Sequence, residues 1–403
     1  MRIKLLATAC APAPGSSPDA VAVLGLASAV HGDVDILSVK TEALGHFETY
    51  GEARLFRVPV PSQGSASEQR AHFGRAVIRQ LEADVYDVVH VRGAFEGRDV
   101  ARRRRDLGYR FIYEIGTYPD EAEGAETEAA WYEAHRLCVE AADLILVPTN
   151  ATRRSIIEPE TQSRVVVVPS GVDLNAFDWL PTAPGDKARI IFLGNFAADR
   201  DLSTLLGALR RLARDRPLDV MLVGDAVRER RQRMRRMVEA FELGPQITVR
   251  GEPRSETIPG LIASADLTVV TAAATPRFQE LGDLPQPILE PMAGRCPIVA
   301  AAVPAVAEVI RDEQEGLLYL PGDEDSLFEA MNFVLSHRED AARMAQAAYE
   351  RTRSHFGQGA RRRRLIEVYE QVCPGSQSYD PWLEAFDREV SQMAPAVEDD
   401  SAP

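Results

Sequence analysis

The sequence predicts an α/β protein of two doubly wound domains, each a mostly parallel sheet between helices, facing one another across a cleft. Three observations predict it. Short β-branched runs alternate with helical stretches from end to end, the pattern of parallel βαβ units. A break at Pro169, Ser170 and Gly171, followed by the linker-like stretch FDWLPTAPGDK at 177–187, divides the chain in two. Its 403 residues are long for one compact domain and suit two of about 180.

Composition narrows the function classes. Hydrophobic residues at 45% and charged residues at 27% exclude a disordered or collagen-like chain. No run of about 18 apolar residues occurs, so no transmembrane helix is expected. A formal net charge of -15 argues against broad nucleic-acid binding. Lys4, Lys40 and Lys187 are the only lysines, which leaves little room for lysine-based catalysis. Cys10, Cys138, Cys296 and Cys373 lie far apart and form no Cys/His cluster. Neither a disulfide framework nor a structural zinc is expected, and a reducing cytoplasm fits. Between Lys4 and Thr8 the apolar stretch is far shorter than the roughly 7–15 residues of a signal peptide, so MRIKLLATAC reads as a first strand.

The first half then offers strands at 3–7, 35–39, 55–58, 88–91, 111–115, 144–147 and 165–168. Helical patterns lie between them, such as 19–30 with Val23, Leu26, Ala27 and Val30 on one face. The second half offers strands at 190–194, 220–224, 247–249, 267–271, 298–301 and 316–320. A long helix should end near Arg353, a break falls at Gly357 and Gly359, and a last helix covers 360–372. The expected domains are thus 1–176, completed by the crossing helix 360–372, and 188–355, joined by the linker 177–187. In the tail, 374–403, Trp382, Phe386 and Val390 mark an amphipathic helix, and the closing VEDDSAP reads as disordered.

Doubly wound sheets bind ligands beyond the carboxyl ends of their strands, so the loops there are the first candidates. Gly15 sits in a small-residue loop, APAPGSSPDA, where a phosphate or sugar could approach backbone N–H groups; such loops are as often plain connections. In RIIFLGNFAADRDLSTLL, a strand ends at Gly194 and Arg200 stands at a helix start, a pairing of guanidinium and backbone donors that suits a diphosphate. Glu290 comes early in a helix between two strands, where a carboxylate can accept both hydroxyls of a ribose. His90, in the strand VVHV, is expected at the cleft mouth; it reads either as an acid–base group or as a structural histidine. No Ser-His-Asp or paired-carboxylate arrangement emerges from spacing.

Taken in order, these motifs resemble a known family. The stretch VVVVPSGVDLNAF (165–177) is similar to the domain-linking signature of family 4 of the retaining glycosyltransferases. The resemblance continues through RIIFLGNFAADRDLSTLLGAL, VMLVGDA with Gly224, ITVRGEP, ADLTVV, ILEPMAGRCPIVA and EGLLYLPGD, strongly over 165–335. It is looser at YDVVHVRG, FIYEIGTYPDEAEG and ADLILVPTNATRRSI. It implies the GT-B architecture, two Rossmann-like domains with a nucleoside diphosphate sugar bound mostly by the second. It also implies metal-independent transfer with retention. By position, Arg200 falls on the family's phosphate-binding lysine and Glu290 on its ribose-binding glutamate. Arg250 and Gly251 fall where backbone contacts hold the base.

The departures matter. Asn195 stands where the family has a phosphate-binding arginine, Gly282 where it has a first glutamate, and Pro287 where a subgroup has lysine. Glu280 or Asp283 are the substitutes at hand for that missing acid. For the family's cleft histidine there is no clear counterpart, since Glu114, Gly116 and Thr117 lie about there; Glu114 is the candidate. The expectation is a cytoplasmic transferase acting on a sugar, lipid-linked or small-molecule acceptor. A GT-B-shaped binding protein without catalysis is the alternative, and a nucleotide-sugar epimerase a more distant one. Arginine clusters at 102–105, 228–236 and 361–364 read as wet helix faces. For Arg102, Arg103, Arg104 and Arg105, contact with anionic lipid headgroups on the cytoplasmic membrane face is a second meaning.

Overall fold

The computed structural model describes residues 3–13, 32–50, 53–61, 65–116, 125–156, 158–177, 185–224, 227–279 and 285–374. The Gly15 loop, the helix read at 19–30 and the tail elements after residue 374 lie outside them. The fold class is as the sequence predicts, α/β with two separate sheets.

The first sheet holds β1 (Ile3–Pro12), β2 (Gly32–Val39), β3 (Phe47–Tyr50), β4 (Ala53–Val58), β5 (Val88–Arg92), β6 (Arg110–Glu114), β7 (Leu144–Val147) and β8 (Val165–Val167). Their spatial order is β3-β4-β2-β1-β5-β6-β7-β8. All pairs are parallel except β3 with β4. The sequence reading lacks β3. Its FETY alternates no apolar face and sits at the sheet edge, with Phe47 exposed against Phe56 at 5.2 Å between ring centroids.

Both faces of this sheet are covered, which is why its strands read as nearly continuous apolar runs. Leu6, Val89, Phe111 and Tyr113 face helices that supply Phe73, Val100, Trp131 and Cys138. The alternate residues Leu5, Ala7, Val88 and Ile112 face the last helix, Gln358–Val372, through Leu365, Val368, Tyr369 and Val372. That helix is therefore part of the first sheet's core, although it comes last in the described chain.

The second sheet holds β9 (Ala188–Leu193), β10 (Leu218–Val223), β11 (Ile247–Arg250), β12 (Leu267–Val270), β13 (Ile298–Ala301) and β14 (Leu317–Tyr319). Every pair is parallel, in the order β11-β10-β9-β12-β13-β14. Chain order reverses between β9 and β12, so this is the switch point at which such sheets bind ligands.

The long helix expected to end near Arg353 is two helices, Glu324–Ser336 and Arg338–Arg351, broken at His337 (φ -114°, ψ 66°). A π-helical turn, Thr352–Phe356, follows. Gly357 does precede the last helix, but Gly359 lies inside it rather than in a break. The chain crosses between the halves twice, side by side. Val172 donates its N–H to Phe356 (2.9 Å) and accepts from Gln358 (3.0 Å).

Candidate active site

At the carboxyl edge of the second sheet, Gly194 and Gly224 end β9 and β10 with φ 153° and 130°. A Cβ at Gly224 would lie 2.9 Å from the backbone N and O of Gly194, so only glycine lets the two strand ends close this tightly. Asn195 follows, and then a single turn carries Arg200. The Arg200 side chain is nearly buried, at 8% exposure, and its Nε donates to Asn195 Oδ1 at 3.2 Å. Its guanidinium lies over the Phe278 ring, 5.2 Å from the centroid. The loop after β12 holds this turn: Ala273 donates to the Asp199 carbonyl (2.7 Å) and the Thr271 hydroxyl to that of Arg200. Arg200 and Asn195 thus meet directly at the switch point.

Glu290 lies in the helix Pro285–Ala293 that follows β12. It keeps part of its surface, yet its carboxyl makes no hydrogen bond or ion pair among the described residues. Burial without a compensating cation pushes its pKa up to about 7. Arg250 closes β11 and is exposed, with Gly251 beside it, so both share the edge two strands from β9. Pro287 is half-buried in the same helix as Glu290. Glu280, Gly282 and Asp283 lie outside the described residues.

The first domain's candidates stand differently. His90 was expected at the cleft mouth; it is fully buried, at 0% exposure. Its Nδ1 meets the Tyr369 hydroxyl at 2.8 Å and its Nε2 meets Glu114 Oε2 at 3.2 Å. Burial lowers the pKa of His90 despite Glu114. The neutral ring then donates Nε2–H to the carboxylate and accepts at Nδ1 from Tyr369. Glu114 is 4% exposed, and its Oε1 accepts from Arg92 at 2.5 Å and from Arg361 at 2.8 Å. Burial alone would raise the Glu114 pKa, but Arg361 and Arg92 outweigh it and hold the carboxyl well below its usual range. Both groups therefore join the last helix to the sheet and present no surface to a cleft. The Glu114 carbonyl accepts from Gly93, and Gly116 packs against it, its would-be Cβ 3.1 Å from Gly93 N. Thr117 lies outside the described residues.

The arginine clusters divide as well. Arg102 pairs with Asp99 (3.3 Å), Arg103 with Glu82 and with Asp106 (3.7 Å), and Arg104 with Asp143 (2.6 Å), so acids on the protein meet most of that charge. The helix Arg228–Ala240 buries Met234 and Val238 and keeps Arg228, Arg233, Arg235 and Arg236 exposed, a wet face. Arg361 overturns the wet-face reading of its cluster: it is 7% exposed and also donates to the carbonyls of Val168 (3.4 Å) and Pro169 (3.1 Å). The signal was legible, since 361, 365, 368 and 372 form one helical stripe.

Among the described residues, no group of three His, Cys, Asp or Glu side chains could hold a metal ion. No described helix is long and apolar enough to cross a membrane.

Two Rossmann-like halves with a glycine-lined, arginine-bearing edge at the switch point define a GT-B protein. Comparison with known proteins agrees. The model "Glycosyl transferases group 1" matches residues 177–351, and "Glycosyl transferase 4-like domain" matches 21–171. The chain belongs to the group 1 glycosyltransferases of GT-B fold. It is 28% identical to a D-inositol 3-phosphate glycosyltransferase of Nocardioides sp. over 74% of this chain and 71% of that one. It is 26% identical to an alpha-D-kanosaminyltransferase of Streptomyces kanamyceticus over 46% of each, so it spans about half of that relative's length. In fold it resembles the sucrose-phosphate synthase of Thermosynechococcus elongatus (TM-score 0.77, 20% identity, 92% of this chain and 99% of that). It also resembles Anabaena HepE, solved with UDP and glucose (TM-score 0.72, 16% identity, 92% and 100%).

Proposed function

We propose that the protein transfers a sugar from a nucleoside diphosphate sugar to an acceptor hydroxyl, with retention of configuration and without a metal ion. One observation carries this reading: Arg200 and Asn195 are hydrogen-bonded to each other at the β9–β12 switch point, beside the close Gly194–Gly224 strand ends. The relatives' names as transferases, and the UDP and UDP-glucose held by HepE, support the donor class.

As the sugar departs, negative charge gathers on the diphosphate. Arg200 would meet it, and the Asn195 side-chain amide, whose oxygen accepts from Arg200, would turn its N–H groups the other way. Donors held in place before the reaction stabilise such a leaving group most strongly. Glu290 would accept the ribose hydroxyls. Departure and attack on one face of the sugar need no protein nucleophile, so His90 and Glu114 are not required to act. The acceptor is a sugar, lipid-linked or small-molecule hydroxyl, in the synthesis of a polysaccharide, glycolipid or other glycoconjugate. The same reading places the protein in the cytoplasm, where the widely spaced Cys10, Cys138, Cys296 and Cys373 would stay reduced.

The test is thermal stability with UDP, ADP, GDP and their sugars, with and without EDTA, followed by NMR of the transferred anomeric centre. A ligand at 100 times its dissociation constant stabilises by about 2.7 kcal/mol, a clear melting shift. A shift that disappears with EDTA removes the metal-free part, and an inverted product removes retention. The second reading is a GT-B-shaped binding protein without turnover, favoured by the uncharged Asn195, Gly282 and Pro287 at positions where the family has charged side chains. Tight donor binding with no transfer to any acceptor or to water would decide for it.

A further inference from the structure

We propose that Arg277 is a second diphosphate-binding cation of this site, acting beside Arg200; the proposal rests on the nucleoside diphosphate reading above. Arg277 follows β12, 78 positions from Asp199, yet its Nη1 lies 3.0 Å from Asp199 Oδ2. Asp199 is one residue before Arg200, and its side chain is wholly buried. The guanidinium carbons of Arg200 and Arg277 lie 5.2 and 5.3 Å from the centroid of one ring, that of the fully buried Phe278. Two cations thus lie against one aromatic ring, on the loops that follow the two strands flanking the switch point.

Charge and geometry both favour this use of the pair. A nucleoside diphosphate carries more than one negative charge on adjacent phosphoryl groups, and a planar guanidinium matches phosphate oxygens in pairs. Asn195, beside Arg200, is neutral and supplies only a dipole. Asp199 accepts from Arg277 Nη1, which helps to hold the guanidinium at this edge. Phe278 restricts both side chains further, so little freedom remains to be lost when a ligand binds. The side chain of Arg277 keeps 11% of its surface, on a segment that leads directly to the helix of Glu290.

The measurement is calorimetric affinity for UDP, ADP and GDP, each with its monophosphate, in the parent, Arg277→Ala, Arg277→Gln, Arg277→Lys, Asp199→Asn and Arg200→Ala. Melting midpoints certify that each variant is folded. Arg277→Ala and Arg277→Gln should lose about 10- to 100-fold in diphosphate affinity and distinctly less for the monophosphate, with lysine recovering part of the loss. Asp199→Asn keeps an acceptor for Arg277 while removing a negative charge, so its diphosphate affinity should hold or rise. If Arg277 merely props the loop, Asp199→Asn and Arg277→Gln fall together and fall equally for both ligands; that overturns the proposal. Parent-like binding by Arg277→Gln while Arg200→Ala weakens overturns it and leaves the donor reading standing. A parent that binds no nucleoside diphosphate overturns both. Should Arg277→Ala fail to fold, Arg277→Gln and Asp199→Asn decide alone.

Discussion

Arg361 Nη2 sits 2.8 Å from Glu114 Oε1, across 247 positions of sequence and at a site where neither side chain meets water appreciably. It ties the last described helix to the end of β6. Removing Arg361 leaves Glu114 paired with Arg92 alone and takes a donor from the carbonyls of Val168 and Pro169, so Arg361→Met should cost about 1.5–3 kcal/mol in urea unfolding. The sign with pH follows from Glu114, whose folded pKa is depressed. Its contribution is complete above the unfolded value of about 4.5 and is lost as pH falls below it. Glu114→Gln should therefore flatten the acid limb of the stability curve. An unchanged limb would mean that the carboxylate is not held as described.

Glu290 behaves in the opposite sense. Its folded pKa of about 7 exceeds the ordinary 4.5, so the folded protein holds a proton that the unfolded chain releases. Stability should decline between about pH 4.5 and 7 by an amount on the order of 2–3 kcal/mol, and Glu290→Gln should abolish that component. If the carboxylate accepts ribose hydroxyls, affinity for a nucleoside diphosphate sugar, whose own charge is constant over this range, should rise from pH 6 to 8 in the parent and stay flat in Glu290→Gln. Affinity independent of pH in both proteins would place the ribose elsewhere.

Gly224→Ala places a methyl group 2.9 Å from the Gly194 backbone at φ 130°. The expected loss is about 1–3 kcal/mol of stability, together with weaker diphosphate binding as the strand ends part. Gly185→Ala, whose Cβ meets nothing within 4 Å, is the control and should unfold like the parent.

Arg200→Ala should lower kcat about 100-fold or more while affinity for the donor falls much less, because charge on the leaving group grows only as the bond breaks. Arg136→Ala, which removes an exposed pair with Glu140, should change neither. Equal losses in kcat and affinity at Arg200 would make it a ground-state anchor only.

The fold class was readable because burial on both sheet faces writes short apolar runs into β1, β5, β6, β7 and β12. What escaped reading has local causes. The strand β3 is short, polar and at an edge. The break at His337 has no glycine or proline to announce it. Arg361 was hidden in a run of four arginines, where only its stripe with Leu365, Val368 and Val372 marked it as buried. At the candidate site, Gly194, Asn195 and Arg200 stand within seven residues of one another and form a local motif. The meeting of Asp199, Arg277 and Phe278 depends on β12 lying beside β9, which no short pattern records. The enclosure of His90 depends on Tyr369, which spacing could not bring to it.

The dependence of the first sheet on Gln358–Val372 bears on how the protein is made. Leu5, Ile36, Val88 and Ile112 form an apolar face whose cover includes Leu365, Val368 and Tyr369. During synthesis those strands leave the ribosome well before their cover exists. At typical elongation rates the interval between β8 and the last helix is about 10–40 s. Through that time the nascent half lacks the part of its apolar cover that the last helix supplies, a condition that suits a holding chaperone. A fragment ending at residue 176 would lack the cover that Leu365, Val368 and Tyr369 supply and should aggregate, while the same fragment co-expressed with 177–374 should be recovered soluble.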